Sequence, residues 1–272
     1  MQENEQLINL KKNCNNRDYF LNKGTMKENE MIFGIRAIIE AIKSDKQIDK
    51  IILKNDMQSE LAKELFAALK DTPHVQVQRV PGERLNRYTR KNHQGAIAFI
   101  SQTTYQMVSD LIPMLYEEGK SPLFVVLDGV TDVRNFGAIA RTCECAGVNA
   151  IVIPMKGGAS VNADAIKTSA GALHTLPVCK EGSLVSAIKF MKKCGIRIVA
   201  ASEKSNMNYT QSNLHDPVAI VMGAEDKGVS PEVLRLCDDM VRIPINGKIS
   251  SLNVSVAAGV MIYEAVRQRE SI

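Results

Sequence analysis

The sequence has no apolar run long enough to cross a bilayer. Stretches such as residues 123–127 and 218–222 are of strand length, whereas a spanning helix needs about 20 residues. No secretion signal is expected either, because Met1-Gln2-Glu3-Asn4-Glu5 offers neither a basic start nor an apolar segment behind it. The expectation is a cytoplasmic protein. Its six cysteines form no C-x-x-C pair, and none stands at zinc-ligand spacing from a histidine. Reduced thiols without metal or redox roles are expected, with Cys143 and Cys145 on different faces of a helix. His74, His93, His174 and His215 are scattered, and no serine sits in G-x-S-x-G, so nothing supports hydrolase or metal chemistry. No G-x-G-x-x-G occurs, which removes the dinucleotide fingerprint.

What is present is an ordinary globular composition, 45% apolar and 24% charged over 272 residues, enough for one large domain or two small ones. The net charge of +4 permits a nucleic-acid partner without demanding one. Residues 1–30 are polar and aperiodic, and read as a disordered tail. Met26-Lys27-Glu28-Asn29-Glu30 echoes the first five residues, which marks Met26 as an alternative start.

Residues 31–101 carry a compact α/β pattern. Ile35, Ile38, Ile39 and Ile42 fall at helical spacing, strands are expected at 48–53, 75–80 and 95–100, and helices at 60–69 and 83–90. Residues 102–120 read as a linker and an entry helix, with 101–106 polar and strand-free. From 121 to 272 strand and helix alternate, with strands at 123–127, 150–153, 196–201, 218–222 and 240–243 and a long last helix from Leu252 to Gln268. Alternation of this kind implies a mostly parallel sheet covered on both faces, with ligands at the C-terminal ends of its strands. Asp128, Ser202, residues 223–227 and residues 246–251 gather at that edge.

Three segments there merit chemical reading. Residues 128–137 follow a buried strand and open a helix, on which Arg134 and Arg141, seven apart, share a face suited to an anionic backbone. Asn135 is either a cap or a polar ligand of the site, and Arg141 either a surface residue or an anion clamp. The turn Gly223-Ala224-Glu225-Asp226-Lys227-Gly228 lacks the lysine of a phosphate loop, but its glycines allow close backbone approach to a flat ligand. Residues 243–253 join a strand to the last helix, with Ser250 or Ser251 as N-cap and Asn253 in the first helical turn.

In this order, Asn135-Phe136-Gly137…Arg141, Gly223-Ala224-Glu225-Asp226-Lys227-Gly228 and Ser251-Leu252-Asn253-Val254-Ser255-Val256-Ala257 resemble the three motifs of the SpoU (TrmH-type) branch of the SPOUT methyltransferases. Residues 33–41 and 93–98 are similar to the two ends of the L30e-like RNA-binding domain that many of these enzymes carry. The resemblance spans residues 31–268 and implies an α/β fold with a C-terminal trefoil-knotted SPOUT domain. It implies S-adenosyl-L-methionine held by Gly223, Ile243 and Leu252, mainly through backbone, and Arg141 at a ribose 2′-OH oriented by Asn135, Glu225, Ser251 and Asn253. It also implies a homodimer and a reaction without metal.

The combination is closest to the enzymes that 2′-O-methylate a guanosine in 23S rRNA; a tRNA ribose methyltransferase and a non-catalytic RNA-binding protein are the alternatives. Arg84, Arg87, Arg90 and Lys91, at helical spacing, form a basic face, either solvated or in contact with RNA phosphates together with Arg134.

Overall fold

The computed structural model describes residues 31–270 apart from 45, 71, 73, 74, 90 and 102. The expected tail, the alternative start at Met26, Cys14, His74 and Arg90 therefore lie outside the described residues. Two sheets organise the chain. The first is built from β1 (Met31–Phe33), α1 (Ile35–Lys43), β2 (Ile48–Lys54), α2 (Glu60–Lys70), β3 (Gln76–Val80), the single turn α3 (Gly82–Leu85) and β4 (Ala96–Ile100). Its order is β1-β4-β2-β3, antiparallel except for the β2–β3 pair. Residues of β2 and β4 alternate between two faces, so Ile51, Leu53, Ala96 and Ala98 pack under α1 and α2.

The second sheet follows from β5 (Tyr105–Gln106), α4 (Val108–Glu117), β6 (Leu123–Asp128), α5 (Val133–Cys145), β7 (Ala150–Pro154), α6 (Ala163–Thr168), β8 (Val178–Glu181), α7 (Leu184–Lys193), β9 (Arg197–Ala201), β10 (Val218–Gly223), α8 (Pro231–Leu234), β11 (Asp239–Val241) and α9 (Val254–Glu270). Its seven strands run in the order β11-β9-β10-β6-β7-β8-β5, all parallel. The unbroken apolar runs of β6, β7 and β10 are explained by burial on both faces. Leu123, Val125 and Leu127 meet Phe136 and Ile139 of α5 and Met261 of α9. Phe124 and Val126 meet Ile112 of α4 and Ile188 and Met191 of α7. Such double coverage anchors the ends of β6 and β10, where the candidate site lies.

Several expectations need correction. The stretch read as strand-free contains β5, a two-residue strand that pairs with β8. Both β8 and β1 were unanticipated; β8 carries Lys180 and Glu181, whose charges mask its strand character but are buried. Lys180 Nζ lies 2.6 Å from Asp49 Oδ1 of β2, and the Tyr105 hydroxyl donates to the same oxygen at 2.8 Å, which joins the two sheets. Glu181 caps α4 by accepting from the Val108 N–H at 2.8 Å. The helix expected at 83–90 stops at Leu85, because a single turn that buries only Leu85 does not propagate. Arg84, Arg87 and Lys91 are exposed but do not share a helix face.

Among the described residues, no helix is long and apolar enough to cross a membrane. Cys143 is buried and Cys145 exposed, as their spacing predicts, and burial pushes the Cys179 thiol up to about 12 and that of Cys237 up to about 11.

Candidate active site

Strands β6 and β10 are neighbours, so their C-terminal ends place Asp128 beside Gly223. The turn after β10 is closed by a pair of hydrogen bonds, Ala224 N–H to Gly228 O at 3.1 Å and Gly228 N–H to Ala224 O at 2.8 Å. Gly223 is required there: a Cβ would fall 2.1 Å from the Gly228 carbonyl carbon and the Val229 nitrogen. Asp128 accepts from the Ser230 N–H at 2.7 Å, which ties the end of β6 to the far side of the turn.

Helix α5 starts beside this turn. Its cap is Asp132, whose carboxylate accepts from the N–H groups of Arg134 at 2.7 Å and Asn135 at 3.0 Å. Those backbone bonds, Asn135 first, hold the Asp132 carboxyl below its usual range. The cap reading of Asn135 is thereby excluded, and its amide is free for the site. Gly137 has a packing role, since a Cβ there would fall 2.7 Å from the Thr168 Cβ and 2.9 Å from the Ala165 carbonyl of α6.

The segment after β11 also differs from expectation. Helix α9 starts at Val254, so Asn253 is the cap instead of Ser250 or Ser251. Its Oδ1 accepts from the Ser255 N–H at 2.9 Å, which leaves the amide nitrogen pointing elsewhere. That nitrogen donates to Asn135 Oδ1 at 3.1 Å and to Glu225 Oε1 at 3.0 Å, while Asn135 Nδ2 donates to the same Glu225 oxygen at 2.8 Å. Three side chains from three distant segments thus form a closed triangle. Two amides fix the Glu225 carboxylate, and the carboxylate in turn fixes both amide orientations.

Glu225 also lines a cavity of about 360 Å³ between the turn and the segment before α9, a size within the range of small-molecule sites. Gly223, Ile243, Ser251 and Leu252 line the same cavity. Met222, Ile245, Val254 and Ala257 add apolar surface, while Glu203, Lys204, Asp226 and Lys227 add charge of both signs. Apolar walls for a flat base, carboxylates for a cationic centre and lysines for a carboxylate suit an adenosyl amino acid. Sequence reasoning missed Glu203, Lys204 and Ile245; the position of Ser202 at the end of β9 was the available signal.

Asn135, Asn253, Arg134 and Arg141 do not line the cavity. Asn135 and Asn253 reach it through Glu225. Arg141 is exposed, without a hydrogen bond or ion pair to any described residue, and lies about 120° around α5 from Asn135.

The SpoU rRNA methylase family profile matches residues 122–263, and the profile described as RNA 2′-O ribose methyltransferase substrate binding matches residues 31–106. The 23S rRNA (guanosine-2′-O-)-methyltransferase of Photobacterium profundum is 36% identical over 245 residues, covering 89% of this chain and 99% of that protein. The crystal structure of the SpoU methyltransferase AviRb from Streptomyces viridochromogenes in complex with AdoMet shares the fold, with a TM-score of 0.56 at 24% identity over 89% of this chain and 91% of that one. The TrmH/SpoU tRNA modifying enzyme of A. aeolicus is 33% identical with a TM-score of 0.51, but covers 60% of this chain and 84% of that one.

Proposed function

The chain belongs to the SpoU rRNA methylase family, and from that premise we propose that it methylates the 2′-OH of a guanosine in 23S rRNA with S-adenosyl-L-methionine as methyl donor. The carrying observation is the Asn135–Glu225–Asn253 triangle at the rim of the cavity. The 23S rRNA reading is favoured over tRNA because the similarity to the rRNA enzyme runs through both sheets, whereas the tRNA enzyme matches 60% of the chain.

The donor supplies a methyl group activated by a sulfonium. Gly223, Ile243 and Leu252 would hold it, and Glu203 and Lys204 would add charged contacts from the same cavity. The protein's task is to align the ribose oxygen with that methyl group, and alignment alone can supply several kcal/mol of acceleration, up to about 7–11. Asn135, Glu225, Ser251 and Asn253 position the ribose. Arg141 clamps a backbone phosphate and stabilises the negative charge that develops on the 2′-oxygen, while the hydroxyl proton leaves to water. A guanidinium stays protonated in proteins and is a poor base, which assigns Arg141 an electrostatic role.

Arg141 lies off the cavity of its own subunit, and this supports a homodimer in which a second copy completes the site. The exposed Val256 and Tyr263 of α9 suit such an interface. We also assign the chain the knotted SPOUT topology, a cytoplasmic location, a substrate-binding domain at 31–101 and a methyltransferase domain at 121–272. Transfer of a labelled methyl group from the donor to 23S rRNA, with the label recovered in 2′-O-methylguanosine, tests the reading. Label in a base, or none, overturns it.

A further inference from the structure

The four-stranded sheet has two unequal faces. Helices α1 and α2 cover one; among the described residues the other is covered by the turn α3, whose Leu85 packs on Ile52, Val80 and Ile97. The strand register places Met31, Phe99, Lys50 and Gln76 in one row across this second face, and Phe33, Ile97, Ile52 and Gln78 in the next. Phe33 and Phe99 are half-buried, and Tyr88 beside them is 42% exposed. The Tyr88 and Phe99 rings meet edge to face with centroids 5.6 Å apart.

Cations surround these rings. Lys91 Nζ lies 5.6 Å from the Phe33 ring centroid. Lys50 is half-buried in the first row, and burial holds its ammonium below the ordinary range; Arg84 and Lys180 push the same way, and Asp49 opposes. The strand residues of this face include no carboxylate, since Asp49 is turned away to Lys180, and Glu83 on α3 is exposed at its margin. Open aromatic rings framed by Lys50, Arg84 and Lys91 complement an anion that carries flat bases.

We infer that this face is a stacking platform for an unpaired stretch of the RNA substrate, with bases on Tyr88 and Phe99 and phosphates at Lys50, Arg84 and Lys91. The inference rests on the RNA-methyltransferase reading above and deepens it by stating how the substrate is recognised. Bases in a duplex are stacked on one another and present only their edges, so exposed rings serve splayed nucleotides instead. Stacking depends little on sequence, which suits a platform that holds the strand while the larger sheet acts on one ribose.

Fluorescence anisotropy of the full-length protein tests this, with a short fluorescein-labelled oligouridylate as one probe and the same strand annealed to oligoadenylate as the other. Tyr88→Ala is expected to weaken oligouridylate binding roughly tenfold with an unchanged salt slope, and Tyr88→Phe to keep wild-type affinity. Lys91→Ala is expected to lower the slope of log affinity against log salt by about 0.7. Duplex affinity should not respond to Tyr88→Ala. Unchanged oligouridylate affinity in Tyr88→Ala, or an equal loss with the duplex, overturns the platform. So does a shift of oligomeric state in that variant, which would give the face to a second copy of the chain. Calorimetry with S-adenosylmethionine separates the two readings: failure of the wild type to bind it sinks the enzyme, whereas intact RNA affinity in Tyr88→Ala sinks the platform alone.

Discussion

The two sheets of this protein meet at Asp49 and Lys180 yet use their surfaces in opposite ways. The seven-stranded sheet is covered on both faces by separate apolar cores, so its chemistry is confined to the strand ends. The four-stranded sheet carries one thick core and one thin one, and among the described residues the thin side leaves Phe33 and Phe99 half-buried and Tyr88 exposed. A doubly covered sheet gives rigid edges, and rigidity at the ends of β6 and β10 is what allows three side chains to be set within hydrogen-bond distance of each other. A thinly covered face gives area, which suits contact with a large and irregular partner.

Disruption of the join should have the largest effect. Lys180→Ala would leave Asp49 buried beside Tyr105 without its cation and is expected to cost about 3–5 kcal/mol in denaturant unfolding. A smaller loss would mean that the sheets are held together by other contacts. Within the larger sheet, Arg141→Ala is expected to slow methyl transfer about 10²–10³-fold, with donor affinity nearly unchanged by calorimetry. Collapse of donor affinity would reassign Arg141 to the cofactor.

Asn253→Ala removes both the cap of α9 and two sides of the triangle. Loss of the cap should cost about 1 kcal/mol of stability, and single-turnover rates should fall further than stability explains. The smallest effect concerns pH. Glu264, buried on α9, accepts from Arg267 at 2.7 and 2.9 Å and from Gln268 at 2.8 Å, and the Arg267 bonds chiefly hold its carboxyl below the ordinary range. Since the folded value is the lower one, this stabilisation is present above the unfolded pKa and is lost as pH falls through the folded one. The Tm gap between wild type and Glu264→Gln should be a degree or two at neutral pH and close below about pH 4. A gap that widens in acid would refute the assignment.

The larger sheet was more legible in the sequence than the smaller one, for physical reasons. Strands buried on both faces are continuous apolar runs, which is why β6, β7 and β10 stand out at 123–127, 150–153 and 218–222. β8 escaped because Lys180 and Glu181 look solvated in one dimension; Asp49 and the Tyr105 ring beside Lys180, and the α4 N-terminus beside Glu181, all remote in sequence, make their burial tolerable. β5 escaped because two residues become a strand only beside β8. The basic residues after Pro81 were placed on one helix face because their spacing allowed it, but a single helical turn with one buried leucine cannot propagate.

At the site, the motif residues were legible while their local roles were not. Ser250, Ser251 and Asn253 are all good caps, and propensity does not choose among them. Asn253 is chosen because its second hydrogen-bonding group meets Glu225 and Asn135, 28 and 118 residues away. Glu203 and Lys204 reach the cavity from the end of β9, beside β10 in space but remote from it in sequence.

The central claim is that the triangle and Arg141 serve methylation of a ribose in 23S rRNA. Mass-spectrometric mapping of ribose methylation in 23S rRNA and tRNA, from a strain lacking this gene and from the same strain carrying the wild-type or Arg141→Ala gene, tests it most directly. The account predicts that one 2′-O-methylguanosine disappears from 23S rRNA, returns with the wild-type gene and stays absent with Arg141→Ala. An unchanged 23S rRNA map, or a loss confined to tRNA, would contradict it.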